Sequence, residues 1–265
     1  MHAFKYHRPS SLNDAAALAA KSADHKVLAG GQSLVQAMKL RLASPSDLVD
    51  LGSLKDLSGI KVSGTEVSVG AMTRHAEVAG SAEVRKAIPA LAALAAQIGD
   101  RQVRAMGTIG GALANNDPAA DYPAAVLGLG ATIVTSKRKI AADEFFKGLY
   151  ETALGQGELI TAVVFPVPKR AAYMKFKNQA SRFAIVGVFV AETSAGARVA
   201  VTGAGPCVFR QKDMEKALSA KFAPESVAAV KQPASGLNTD LHASAEYRAH
   251  LVSVMAKRAV AAAIK

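Results

Sequence analysis

The sequence predicts an α+β protein built from two α+β units in series. Its length of 265 residues corresponds to about two domains at roughly 150 residues each. Short strand-like segments with alternating apolar residues and helix-like segments follow one another along the whole chain. A pair of prolines, Pro166 and Pro168, then closes a strand-like segment. We therefore place a domain boundary near residue 170, which separates residues 1–170 from residues 171–265.

The first unit opens with a strand, a glycine turn and a helix. Residues 27–28 are strand-like, Gly30 and Gly31 predict the turn, and a helix is predicted from about Ser33 to Leu42. The Ser33 hydroxyl is predicted as the N-cap because it can accept from a free N–H of the first helical turn. A second strand is predicted around residues 48–51.

A hairpin and a helix follow. Apolar and polar residues alternate on both sides of Ser63 and Gly64, which predicts the hairpin. The next helix is predicted between Pro89, near its first position, and Gly99, just past its end.

The rest of the chain continues the same alternation of strands and helices. In order, we predict a helix running into a strand over 122–136, a helix over 142–154, a strand over 157–168, strands within 173–192 and 197–206, and amphipathic helices over 210–221 and 244–265.

Composition excludes several classes of protein. Half of the residues are hydrophobic and a fifth are charged, which is ordinary for a folded chain. Cys207 is the only cysteine and the six histidines are scattered, so neither an internal disulfide nor a metal site is expected. The first residues lack a signal peptide's apolar core, and the longest apolar runs are too short to span a bilayer. We therefore expect a cytoplasmic chain without a transmembrane segment.

The charge balance favours acidic partners. The net charge is +11 and the pI about 9.8, which suits nucleic acid, an anionic cofactor or an acidic protein surface. Nucleic-acid binding is disfavoured because aromatic residues make up only 5%, tryptophan is absent and basic residues are dispersed. The densest basic run, residues 136–139, is interpreted as a solvated turn.

Two glycine turns carry the strongest chemical signal. We call residues 29–33 the first glycine loop and residues 108–112 the second glycine loop. A glycine pair between a strand and a helix lets the backbone approach a phosphate and offer several N–H donors beside the helix N-terminus. Neither loop has the spacing of a P-loop or a Rossmann fingerprint. Taken singly, each is typical of an ordinary tight turn, so both interpretations stay open on this ground.

The segment after the second glycine loop also has two interpretations. Asp117 and Pro118 favour a turn, and Asp121 could cap the helix that begins near Pro123. Alternatively, the Asp121 carboxylate accepts from a ribose hydroxyl beside a bound pyrophosphate.

Three stretches resemble a known family. Residues 29–51, residues 98–125 and the later segment SAEYRAHL at 244–251 are similar to the FAD-binding medium subunits of molybdenum hydroxylases, the family of carbon monoxide dehydrogenase and xanthine dehydrogenase. The resemblance covers nearly the whole chain in the same order. It implies a two-lobed FAD-binding domain of the vanillyl-alcohol-oxidase (PCMH) type, followed by a smaller C-terminal α+β domain.

The resemblance also implies which residues hold FAD. Both glycine loops would cradle the pyrophosphate, Asp121 would contact the adenosine part, and Asn115 and Asp117 would lie in the same loop with less defined roles. The loop residues are Ala29, Gly30, Gly31, Gln32 and Ser33, and Thr108, Ile109, Gly110, Gly111 and Ala112.

Two further positions map beside the flavin, and two depart from the family pattern. Lys175 falls where the family has a lysine near the flavin; without the resemblance it is an exposed strand lysine. Phe183 falls where relatives tend to have a tyrosine over the ring; otherwise it is a core aromatic. Relatives often carry serine or asparagine at Ala112, so one side-chain hydrogen bond to FAD is missing here. Met38 and Met72 are interpreted as core residues.

The implied function is that of an electron outlet. Members of this family assemble with a large molybdopterin subunit and a small subunit carrying two [2Fe–2S] clusters, often as a dimer of heterotrimers. FAD would receive electrons from the nearer cluster and pass them to NAD, a quinone or another acceptor. No catalytic acid, base or nucleophile is then needed in this chain. The alternatives are a self-sufficient flavin oxidase or dehydrogenase, and a basic nucleic-acid-binding module.

Overall fold

A computed structural model describes all residues, 1–265. The helices are α1 (Leu12–Ala20), α2 (Leu34–Lys39), α3 (His75–Gly80), α4 (Ala82–Ala87), α5 (Pro89–Ala96), α6 (Arg101–Met106), α7 (Ile109–Asn115), α8 (Tyr122–Leu129), α9 (Ala142–Phe145), α10 (Lys212–Ala220), α11 (Pro224–Ala228) and α12 (Ala245–Ala263). The strands are β1 (Lys5–His7), β2 (His25–Leu28), β3 (Asp47–Asp50), β4 (Ile60–Ser63), β5 (Glu66–Gly70), β6 (Thr132–Thr135), β7 (Lys139–Ala141), β8 (Phe146–Gly148), β9 (Glu151–Thr152), β10 (Ile160–Pro166), β11 (Arg170–Lys177), β12 (Ala184–Thr193), β13 (Gly196–Thr202) and β14 (Phe209–Arg210).

Three main sheets organise the chain and confirm the predicted α+β class. Parallel strands in the order β1-β3-β2 form a small N-terminal lobe, and antiparallel strands in the order β4-β5-β10-β6-β7 form a second lobe. The antiparallel sheet β11-β12-β13-β14 belongs to the C-terminal unit. The predicted hairpin at 60–70 is present, with Gly64 at φ 52° in its turn.

The N-terminal lobe presents the first glycine loop at the end of a strand. Strand β2 runs beside the central strand β3, and the loop connects β2 to α2. Helix α1 covers this sheet, with Ala15 and Ala19 packed in one cluster with Val49 and Leu51. Because parallel strands need a crossover connection, the β2–α2–β3 unit places the loop at the carboxyl end of β2.

A fully buried helix joins the second lobe to the C-terminal unit. All eight residues of α8 are buried, and a helix that is apolar all round belongs in a core. Gly128 of α8 lies so close to Phe189 that a Cβ there would stand 2.7 Å from the ring. Strand β12 is buried on both faces because its successive side chains point in opposite directions. Phe189 and Ala191 join the core around α8, whereas Val186 and Val188 pack with residues of α10 and α12.

The structure corrects two sequence-based expectations. The helix predicted over 142–154 is only the four-residue α9, followed by the two-stranded hairpin β8–β9, because a buried Asn116 binds the hairpin backbone at Gly148 and Glu151. Helix α2 ends at Lys39 rather than at Leu42, and just beyond its end Arg41 takes a left-handed φ of 61°.

None of the helices is both long enough and apolar enough to span a membrane.

The basic run at 136–139 is a turn held by a buried glutamate. Glu158 is 7% exposed and accepts from Arg138 Nε at 3.0 Å, Thr135 Oγ1 at 2.7 Å and the Gly155 N–H at 2.9 Å. The hydrogen bonds from Arg138 come first among the causes that lower the pKa of Glu158 from 4.5 to about 2. The run is therefore built into the second lobe.

We expect Glu158→Gln to destabilise the chain at neutral pH. A lowered pKa in the folded state means that this stabilisation is present above pH 4.5 and is lost as pH falls toward 2. Because the Arg138 side chain is half exposed, we expect about 2 kcal/mol rather than the full effect of the shift. Thermal unfolding at pH 7 and pH 3 measures it: the loss should shrink at pH 3, whereas the exposed Glu144→Gln should cost nothing at either pH. An equal loss at both pH values would refute the assignment.

Candidate FAD site

The two glycine loops meet, although 74 or more residues separate them along the chain. A Cβ on Gly30 would overlap the carbonyl oxygen of Met106 and lie 2.7 Å from Cα of Gly107. A Cβ on Gly111 would lie 3.4 Å from Cβ of Ala29. Gly30 is therefore required for the backbone of one lobe to touch the backbone of the other.

The first glycine loop has the donor set that an anion needs. The backbone N–H groups of all five residues, 29–33, donate to no protein atom. Gly31 is left-handed at φ 71°, a conformation that aims successive N–H groups into a shared concavity. The Ser33 hydroxyl makes no N-cap hydrogen bond, contrary to the sequence prediction, and so is also available to a ligand.

The second glycine loop has a different local role. Its glycines lie in the first turn of α7 rather than in a strand-to-helix turn. The N–H groups of Ile109 and Gly110 donate to the carbonyls of Thr73 and Ala71, at 3.2 and 2.8 Å. The Gly111 N–H donates to Thr108 Oγ1, the N-cap, at 3.2 Å, and that of Ala112 donates to the Thr108 carbonyl.

Only the Thr108 N–H of the second loop is thus left without a protein acceptor. The first loop therefore has a row of backbone N–H groups without protein acceptors and the second loop has one, and pyrophosphate binding by either loop stays a prediction. Gly110 instead allows close packing, since a Cβ there would stand 2.6 Å from Cβ of Ala71.

His75 supports the second loop from behind. The backbone N–H of His75 donates to the Gly107 carbonyl at 2.9 Å. The imidazole ring lies against Gly107, since a Cβ added at Gly107 would be 2.6 Å from Nε2 of His75. The ring also contacts Tyr122, with centroids 5.3 Å apart. His75 Nδ1 and the Tyr122 hydroxyl are both buried without a hydrogen-bond partner. Burial of the imidazole, and to a smaller extent the positive charge of Arg104, lower the pKa of His75 from 6.5 to about 4.

Acid is therefore expected to weaken this lobe. An unfolded histidine takes up a proton near pH 6.5, whereas folded His75 stays neutral until about pH 4. Stability present above pH 6.5 is lost as pH falls, by about 2 kcal/mol between pH 7 and pH 5. Urea unfolding at the two pH values measures this loss. His75→Gln should remove it and the exposed His250→Gln should keep it; a persistent loss in His75→Gln would assign it to another group.

Asp121 and Lys175 are held by each other. Lys175 Nζ donates to Asp121 Oδ2 at 2.9 Å and to the Gln97 carbonyl at 3.1 Å, and the Tyr173 hydroxyl donates to Asp121 Oδ1 at 2.5 Å. The side chains of Lys175 and Asp121 are only 1% and 4% exposed. Burial raises the pKa of Asp121 against the opposing effects of Lys175 and Tyr173.

This pairing revises two sequence-based interpretations. The Asp121 side chain makes no helix-cap hydrogen bond, and Lys175 is not an exposed strand lysine. The contacts of Asp121 with the adenosine part and of Lys175 with the flavin stay predictions. The positive charge of Lys175 is matched by Asp121, which leaves little of it for a flavin.

Asp117 and Phe183 come together in a different place. They line a cleft of about 270 Å³ at the seam between the second lobe and the C-terminal unit, with Asn178, Asp240 and Arg248. Phe183 is 47% exposed, so it is not a core residue. Asp117 Oδ1 accepts from the Ala119 N–H at 2.8 Å, which confirms the predicted turn. Phe183 gives this cleft an exposed aromatic side chain on which a planar ring can stack.

Some residues of the site were not predicted individually from the sequence. Asn115 is half-buried with no side-chain hydrogen bond, whereas its neighbour Asn116 is left-handed at φ 44° and donates to the carbonyls of Gly148 and Glu151. Arg248 is 3% exposed at the edge of the cleft. Tyr173 could have been found, since it lies two residues before Lys175 on the same face of β11.

The arrangement fits a dinucleotide with a diphosphate bridge. Five free N–H groups, with the Ser33 hydroxyl and the Thr108 N–H, form a donor set for an anion at the meeting point of two lobes. The cleft past the carboxyl end of α7 can take a ring system.

Comparisons with known proteins give the family. Residues 2–168 match the FAD binding domain in molybdopterin dehydrogenase, and residues 171–263 match the CO dehydrogenase flavoprotein C-terminal domain. The chain is 38% identical to the carbon monoxide dehydrogenase medium chain of Afipia carboxidovorans, over 97% of this chain and 95% of that one. It is 35% identical to the nicotine 6-hydroxylase medium subunit of Paenarthrobacter nicotinovorans, over 97% and 96%. The structure of reconstituted CO dehydrogenase from Oligotropha carboxidovorans superimposes with a TM-score of 0.91 at 36% identity, over 99% of this chain and 98% of that one.

Proposed function

The chain belongs to the FAD-binding medium subunits of the molybdenum hydroxylase family, and from this premise we propose that it is the electron outlet of a multi-subunit complex. In this proposal residues 1–170 hold FAD, and residues 171–265 close the cleft over the ring. The partners are a large molybdopterin subunit and a small iron–sulfur subunit, arranged as a dimer of heterotrimers in the cytoplasm. FAD, when bound, supplies two-electron redox chemistry and accepts electrons one at a time.

The proposal is supported above all by five N–H groups without protein acceptors in the first glycine loop, the loop in which Gly30 lies directly against the backbone of Met106. Unpaired backbone donors are costly in a folded chain unless water or a ligand satisfies them. A diphosphate satisfies several at once, and the net charge of +11 favours an anion.

Each part of the chain has a distinct task in this proposal. Ala29, Gly30, Gly31, Gln32 and Ser33 bind the pyrophosphate, with Thr108 completing the donor set. Ile109, Gly110, Gly111 and Ala112 hold the second lobe close to the first. Asp117 and Phe183 bound the ring cleft, with Asn115 nearby. Asp121 and Lys175 fix strand β11 against α8 through their buried ion pair.

The proposed electron route has to account for the number of electrons transferred and for the position at which they leave this chain. In the complex, the molybdopterin subunit would supply the two-electron oxidation of the substrate, the [2Fe–2S] clusters would supply one-electron relay, and an external acceptor such as NAD or a quinone would take both electrons. The open side of the Phe183 cleft is where that acceptor approaches. The chain's residues hold and orient the cofactor, and none of them needs to act on the organic or gaseous substrate.

Purification of the complex from its native source tests cofactor and partners together. We expect three subunits to copurify, with one flavin, one molybdenum and four iron atoms for each copy of this chain. FAD bound to a chain that purifies alone and reduces its flavin directly with an organic substrate would instead support the self-sufficient oxidase.

A further inference from the structure

A buried guanidinium lines the cleft that we assign to the flavin ring. Arg248 lies on α12, is 3% exposed, and borders the cleft with Phe183 and Asp240. Its Nη1 donates to the carbonyls of Ile185 and Gly203 at 2.6 and 2.9 Å, and its Nη2 donates to Asp240 Oδ2 at 2.7 Å. Arg248 thus ties together the segments that shape one wall.

That wall is also hydrogen-bonded to residues 1–170, the unit that we assign to FAD binding. The Gly203 N–H donates to the Pro118 carbonyl at 2.7 Å, and the Ala184 N–H donates to the Ala119 carbonyl at 3.3 Å. The residues that Arg248 holds are therefore joined directly to the turn that begins at Asp117. Moving the guanidinium would change both the shape and the charge of the cleft.

One donor of Arg248 has no partner. Its Nε is buried and makes no hydrogen bond, although a buried N–H left unpaired is costly. The guanidinium cannot lose its charge in a protein, so Arg248 remains a cation at the wall of the cleft.

The charge of Arg248 is only partly compensated. Its one carboxylate partner, Asp240, is 46% exposed, and solvent screens an ion at such a position. Lys175 does not add to the cleft, because Asp121 neutralises it away from the lining residues.

We infer that Arg248 is the residue that favours reduced flavin in this chain. The inference rests on the proposed function, since it assigns a role toward FAD. Reduction adds negative charge to the ring system, and a buried cation beside it stabilises the reduced form more than the oxidised form. Arg248 therefore takes over the electrostatic role that the sequence suggested for Lys175.

The test is the midpoint potential of bound FAD, measured by spectroelectrochemical titration of the FAD-loaded full chain. We expect Arg248→Gln to lose at least about tenfold in preference for reduced over oxidised flavin, which is about 30 mV more negative for a two-electron couple. Arg248→Lys keeps the charge and should recover most of that loss. The exposed Arg258→Gln on the same helix is the matched control and should leave the potential unchanged.

Asp240→Asn gives an independent test with the opposite sign. The asparagine keeps the oxygen that accepts from the N–H groups of His242 and Ala243. It replaces the oxygen that accepts from Arg248 Nη2 by an NH2 group and so removes both the compensating charge and that hydrogen bond. The potential should become more positive. If Arg248→Gln does not fold, this variant decides alone. A folded, FAD-bound Asp240→Asn chain with an unchanged potential would overturn the inference. A wild-type chain that takes up no FAD would instead refute the proposed function.

Discussion

Replacing Gly30 by alanine is expected to remove FAD from the chain. The added methyl group would overlap the carbonyl oxygen of Met106 and stand 2.7 Å from Cα of Gly107, and both neighbours are backbone atoms that cannot rotate away. The two lobes must then separate, which moves the first glycine loop away from Thr108. We expect FAD affinity to fall at least about 100-fold, or about 2.7 kcal/mol. Flavin content after purification and FAD titration of the apoprotein measure it.

Gly80→Ala is the control for that substitution. Gly80 is the last residue of α3, its φ is not left-handed, and a Cβ there meets nothing within 4 Å. It should bind FAD like the wild type. A Gly30→Ala chain that keeps its flavin would show that the contact between the loops is not needed for binding.

Breaking the buried pair of Asp121 and Lys175 is expected to have the largest effect on stability. Asp121→Asn leaves an ammonium that is 1% exposed without its counter-charge. Removal of one partner of a buried pair costs about 3 to 5 kcal/mol. Urea unfolding of the single variants, and of the double variant Asp121→Asn/Lys175→Met, measures the coupling. The double variant should be more stable than Asp121→Asn alone, because it leaves no isolated charge.

An exposed ion pair of the same unit provides the comparison. Lys169 lies 3.9 Å from Glu192, with its side chain 66% exposed. Lys169→Met should cost less than about 1 kcal/mol. Equal losses in Lys169→Met and Asp121→Asn would mean that burial of the Asp121 pair has no energetic consequence.

Local patterns predicted those elements in which a short stretch decides the structure. The alternation along β12 determines its two buried faces, and Pro89 and Gly99 bracket α5 as expected. The hairpin at 60–70 follows from the alternation around Gly64. These elements depend on neighbours in sequence, so the residue pattern suffices.

Long-range pairing decided the elements that sequence patterns misassigned. The segment 142–154 has helix-forming residues, yet Asn116 binds its backbone from 32 and 35 residues away, and it becomes a hairpin. Asp121 and Lys175 are 54 residues apart, and no local pattern signals that they neutralise each other. The same holds for the N–H groups of Ile109 and Gly110 in the second glycine loop, whose acceptors lie at Thr73 and Ala71.

The first glycine loop, closed by contact with the second, is proposed to bind a diphosphate. Competitive titration of the complex after removal of its flavin tests this binding, because FAD contains a diphosphate and FMN does not. We expect one FAD for each chain, affinity for FMN at least about 100-fold weaker, and displacement of FAD by ADP, which carries a diphosphate at its end. Equal affinity for FMN and FAD, or a folded complex that takes up no FAD, would rule out diphosphate binding by this loop.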